Sequence, residues 1–160
     1  MAGSRLCHTR VVDGSVPTTR EALAPYLDSL GIRPDAYNLF GAQVENAVVI
    51  AQRTEGWIVY YSERGGEWSP TVFESEAEAC ADLLAKLIQE EHNFFQLVVG
   101  PLPAAEADAA WAAWLEANLT SAEMLDGNDW KKDDVPWAPG SRWRRYFVRT
   151  TTIRSLAANH

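Results

Sequence analysis

Residues 57–61 read Trp-Ile-Val-Tyr-Tyr, and a strand built from them has no polar face. Successive side chains of a strand point to opposite sides. Trp57, Val59 and Tyr61 would therefore lie on one face, and Ile58 and Tyr60 on the other. A strand apolar on both sides belongs inside a sheet that is covered on both sides. The β-rich run before it, Asn46 to Arg53, is joined to it by Thr54-Glu55-Gly56, a length that suits a tight hairpin. Trp57 to Glu63 is thus the expected central strand. Its exit, Ser62-Glu63-Arg64-Gly65-Gly66, is polar and carries two glycines that permit positive φ. That exit is expected to be a turn in water.

Helices are expected on either side of this hairpin. Thr18-x-x-Glu21 has the capping-box pattern, and Ala22, Tyr26, Leu27 and Leu30 follow at helical spacing as far as Gly31. Pro25 sits awkwardly in that run, because it removes a helical hydrogen bond. Tyr37 to Phe40 and Val72-Phe73 read as short strands. Ser75-x-x-Glu78 is a second capping box, and Ala77, Cys80, Ala81, Leu84, Leu87 and Ile88 form an apolar stripe behind it. Glu78, Asp82, Lys86 and Glu90 take the opposite face.

The second half repeats the pattern. Phe94 to Val99 reads as a strand, Gly100 to Pro103 as a turn, and Ala104 to Asn118 as a helix with Ala107, Trp111, Trp114 and Leu115 on one face. Thr120-x-x-Glu123 is spaced to start one further helical turn. Asp126 to Gly140 reads as a polar loop, and Arg142 to Ile153 as a last strand with Trp143, Arg145, Phe147 and Arg149 on one side. The fold class expected is α+β, an antiparallel or mixed sheet with helices packed on it, with two stacked β–α layers as one arrangement. Residues 1–16 lack periodicity and are expected as a flexible arm before a single domain over 17–160, with a subdivision near residue 93 as the other option.

Composition narrows the function. Hydrophobic residues make up 47% and charged residues 22%, so the chain can build a core. Between Glu74 and Asp134 there are 14 acids against Lys86, Lys131 and Lys132, and from Arg142 to Arg154 five arginines and no acid. The net charge of −8 argues against a nucleic-acid partner and allows a basic protein partner. No membrane span or signal-peptide core is visible, and Cys7 and Cys80 form no disulfide framework. A cytoplasmic protein is expected.

No constellation for chemistry stands out. His8, His92 and His160 lie in the arm, at a helix end and at the last position, where nothing orients an imidazole. The Asp126, Asp129, Asp133, Asp134 cluster lacks the alternating spacing of a calcium loop, and Gly65-Gly66 has no phosphate-loop lysine. No catalytic residue, cofactor or metal is expected. Cys80 on its apolar stripe is expected to be a buried, inert thiol. Trp57, Trp111 and Trp114 are expected in the core. Trp68, Trp130 and Trp137 lie in turns beside charges, so at least one of them is expected to be exposed.

The stretches "GIRPDAYNLFGA" (31–42) and "GWIVYYSERG…FESEAEACADLL" (56–84) resemble small actinobacterial proteins of polymorphic toxin systems. Such modules occur near NAD-glycohydrolase toxins of the tuberculosis-necrotizing type. The resemblance covers residues 31 to about 88 and implies an immunity role, with a cognate toxin, an NAD glycohydrolase among the candidates, as partner. It supplies no catalytic residues. The expectation is a binding protein that occludes a toxin's active site, with Asp126, Asp129, Trp130, Asp133, Asp134 and Trp137 as the partner surface. An exposed indole ringed by acids is the composition of a contact anchor. The alternative is a small enzyme or ligand-binding domain using Glu63 and Arg64, with Tyr60 or Arg145, at the end of the central strand.

Overall fold

The computed structural model describes residues 16–120, 123–138 and 141–159. The arm expected over 1–16 therefore lies outside the described residues apart from Val16, as do Cys7, His8, Pro139 and His160. The chain is an α+β protein that divides into two compact units, residues 1–93 and 94–160.

The first unit runs α1 (Arg20–Ser29), β1 (Tyr37–Asn38), β2 (Ala47–Arg53), β3 (Gly56–Glu63), β4 (Gly66–Phe73) and α2 (Glu76–Gln89). Its sheet has the order β1-β2-β3-β4, with β1 parallel to β2 and the other pairs antiparallel, so it is mixed. The strand that is apolar on both sides, β3, does lie inside the sheet. Strand alternation puts Val48, Ile50 and Val59 on one face, and Val49, Ala51, Ile58 and Tyr60 form a buried cluster on the other.

The hairpin exit is a turn, as its glycines suggest. Arg64 and Gly65 both have positive φ, 52° and 74°, between the paired residues Glu63 and Gly66. Positive φ at both central positions is what a type I′ hairpin turn requires. Glu45 fixes it further, because its carboxylate accepts the N–H groups of Arg64 and Gly65 at 2.8 and 3.1 Å. Gly56 is required for a different reason. With φ 131°, a Cβ there would lie 2.7 Å from the Phe73 carbonyl oxygen.

Three expectations in this unit are corrected. The N-cap of α1 is Thr19, whose hydroxyl accepts the Ala22 N–H at 3.2 Å, and not Thr18. The strand expected at Val72-Phe73 extends back to Gly66. Ser69 at φ 51° and Pro70 mimic a turn in the sequence, but β4 is an edge strand, where a bulge and a proline cost no ladder partner. On α2, Leu83 and Ala79 face inward with Cys80, Leu84 and Leu87, whereas Ala81 is exposed and Ile88 is 48% exposed. The buried stripe is rotated by about one residue. Leu83 and Ala81 are both apolar, so the pattern alone fits either rotation. The helix packs on β2, β3 and β4.

Pro25 lies inside α1 on its exposed side, where water can take the carbonyl it leaves free. Gly31, at φ 80°, ends the helix: Ile32 N–H donates to the Leu27 carbonyl and Gly31 N–H to that of Asp28. Cys80 is fully buried, and burial pushes its thiol up to about 11. Brief maleimide labelling of the native chain, read by mass spectrometry, should therefore modify at most Cys7. Fast modification of Cys80 would contradict its placement.

The second unit runs β5 (Phe95–Pro103), α3 (Ala104–Asn118), β6 (Trp130–Ala138), β7 (Ser141–Arg149) and α4 (Thr150–Ala158), with an antiparallel sheet of order β5-β7-β6. Its core is aromatic. Trp111 of α3 stacks on Tyr146 at 4.8 Å and on Trp114 at 5.4 Å, and meets Trp130 at 5.3 Å, beside Val99, Ala107 and Val148.

Gly100 to Pro103, expected as a turn, continues strand β5 through register shifts against β7, and two further corrections fall here. The last strand stops at Arg149, and Thr150-Thr151-Thr152-Ile153, β-branched and strand-like by propensity, opens a helix. The Arg149 N–H donates to the carbonyl of Asp129, the residue that the β6–β7 register sets opposite it, and the strand ends on that rung. The other correction is the loop expected over 126–140, most of which is strand β6. Asp133 pairs in register with Arg145, and Asp134 with Arg144. Opposite charges facing each other across a ladder stabilise pairing that composition alone disfavours.

Candidate functional site

Strand alternation puts Asp133 and Asp134, two of the six residues expected to form the partner surface, on opposite faces of β6. Lys131 and Asp133 share one face of β6, with Lys131 over the Phe95 and Phe147 rings and Asp133 held by Arg145. Lys132 and Asp134 take the other face, where Arg144 bridges Asp134 at 2.6 Å and Asp108 at 2.7 Å. Asp108 also accepts the Tyr146 hydroxyl at 2.7 Å. The Arg144 guanidinium holds both carboxyls below their ordinary range.

Asp129 accepts the Asp126 N–H and the Thr152 hydroxyl, and Asp126 accepts the Asn128 N–H. The acids thus tie this unit together, and Asp133 and Asp134 are matched by cations. Trp137 lies in β6, and its side chain falls outside the described residues.

Trp130 is half-buried in the Trp111–Tyr146 stack and does not project as an anchor. It forms a wall instead. Trp111 and Leu115 of α3, Leu119, Glu123, Met124, Leu125 and Trp130 line a cleft of about 240 Å³. Met124 at its lip is 89% exposed. Glu123 holds the chain here by accepting the Thr120 N–H at 2.7 Å, although residues 123–126 form no helical turn. An apolar cleft with a flexible, polarizable thioether at its edge suits an incoming apolar side chain. Trp130, expected to project as an exposed anchor, instead lines this cleft. Met124 and Leu119 went unnoticed, since nothing in their spacing separates them from core residues.

Within the first unit, Tyr60 and the Glu63–Arg64 pair of the alternative site are not brought together. Ser62 is sealed from solvent, with no hydrogen-bond partner for its hydroxyl among the described residues. Tyr60 is buried under the Arg53 guanidinium, while Arg64 points into water 3.9 Å from Glu63. Arg145 belongs to the second unit and is paired with Asp133. Of the two tryptophans assigned to turns whose side chains are described, Trp68 is exposed and Trp130 is half-buried, and Trp68 shares this hairpin with Tyr61.

Among the described residues no group of three His, Cys, Asp or Glu side chains is placed to hold a metal ion. No described helix is long and apolar enough to cross a membrane. Comparison with protein-family models, with curated proteins and with solved structures finds no match to this chain.

Proposed function

We propose that the chain is an immunity-type binding protein that neutralises a cognate bacterial toxin, an NAD glycohydrolase being the first candidate, by covering its active site. The observation that carries this reading is the exposed Met124 at the lip of the Trp111–Trp130 cleft. Large apolar side chains left in water beside an apolar recess mark contact surfaces. The net charge of −8 suits a basic partner, because charge sets encounter rate and the buried apolar contact sets lifetime. The likeness of residues 31–88 to toxin-system modules points the same way.

Titration calorimetry against a purified NAD-glycohydrolase toxin domain of the tuberculosis-necrotizing type tests the assignment. Wild type should bind one to one. Met124→Glu puts a charge at the lip without touching the fold, and should weaken binding about 30-fold, roughly 2 kcal/mol. Wild-type affinity in that variant would remove the cleft from the interface.

A further inference from the structure

We infer that the outer end of the β3–β4 hairpin, where Tyr61 and Trp68 face solvent, is a docking point for a basic segment of a protein partner. Tyr61 and Trp68 are directly opposed in the ladder, so their side chains share one face. They are 38% and 56% exposed. The indole is nonetheless fixed: its Nε1–H donates to the Glu63 carbonyl at 3.1 Å. It lies over Gly66, where even a Cβ would come within 3.3 Å of Nε1. Tyr61 in turn donates to Asn46 at 3.4 Å. Two aromatic side chains held in place while exposed have little rotamer freedom left to lose on binding.

The surroundings select the charge of the occupant. Burial first, and then the charges of Glu63, Glu45 and Glu90, push the Tyr61 phenol above its ordinary value. Those three carboxylates reach this face together. The cations beside them are Arg64, whose side chain is 87% exposed, and His92, 3.6 Å from Glu90. An exposed indole and phenol inside a negative field favour a guanidinium or ammonium laid on a ring. The negative whole-chain charge draws a basic chain toward it. This inference rests on the hairpin alone and stands apart from the Met124 cleft.

A fluorescent hexa-arginine peptide, titrated by anisotropy at about 50 mM salt so that surface charge is not fully screened, provides the test. Trp68→Ala should raise the dissociation constant about tenfold, and Glu63→Gln about threefold. Arg64→Asn removes the competing guanidinium, tolerates the positive φ, and should tighten binding about twofold. Met124→Glu should leave binding no weaker. The Trp68 indole N–H, assigned from its loss in Trp68→Ala, should shift on adding peptide. An affinity within about twofold of wild type for folded Trp68→Ala would overturn the site, since general acidity would then hold the peptide. A Trp68 shift produced by choline but not by the peptide would overturn the peptide assignment in favour of a small-cation site.

Discussion

Replacing Trp111 by alanine should destabilise the second unit by about 3–5 kcal/mol, as loss of a large buried aromatic does. Trp111 is the hub of that core, stacked on Tyr146 and Trp114 and touching Trp130. The cost has two parts, lost apolar burial and the ring contacts themselves, each aromatic pair adding about 0.5–1.5 kcal/mol. Marginal domains have about 5–15 kcal/mol in all, so the variant should lose its near-ultraviolet dichroism at temperatures the wild type survives. A shift in midpoint of less than about 2 °C would mean that the aromatic stack is not the core.

The second large effect separates the two possible faces of α2. Leu83 is fully buried and Ile88 is 48% exposed, although both are large aliphatic residues on one helix. Leu83→Ala should cost about 2–5 kcal/mol, because a cavity replaces the lost methyl groups. Ile88→Ala should cost less than about 1 kcal/mol in urea unfolding, since half of its surface never leaves water. The reverse order would restore the stripe read from the sequence and refute the packing of this helix.

The sequence speaks clearly where one element's pattern has a single solution. Strand β3 is apolar on both sides, so only an interior position satisfies it, and the glycines at 65 and 66 leave little choice of turn. The α2 stripe was half legible: its existence followed from spacing, but its rotation depended on whether Leu83 or Ala81 meets the sheet. Strand β6 was illegible by composition. Lys-Lys-Asp-Asp reads as loop until it is set antiparallel to Arg144-Arg145-Tyr146-Phe147, when Asp133 meets Arg145 and Asp134 meets Arg144. The complementary charges at 133–134 and 144–145 were the available signal.

The candidate site suffered from the same gap. Once β6 is a strand, Trp130 belongs to a stack and its acids to ion pairs. The proposed contact role then passes to Met124 and, on the other unit, to Trp68. The Trp68 surface was half visible, as an indole in a turn beside acids, but nothing in the sequence ranked it above Trp130.

The central claim is that this chain silences a toxin by binding it. The most direct measurement is the rate of NAD hydrolysis by a purified toxin domain of the tuberculosis-necrotizing type, with the purified chain titrated in. Stoichiometric inhibition, complete near one equivalent and relieved in Met124→Glu, is the predicted result. An undiminished rate at several equivalents of folded chain, at concentrations far above a nanomolar dissociation constant, would contradict it.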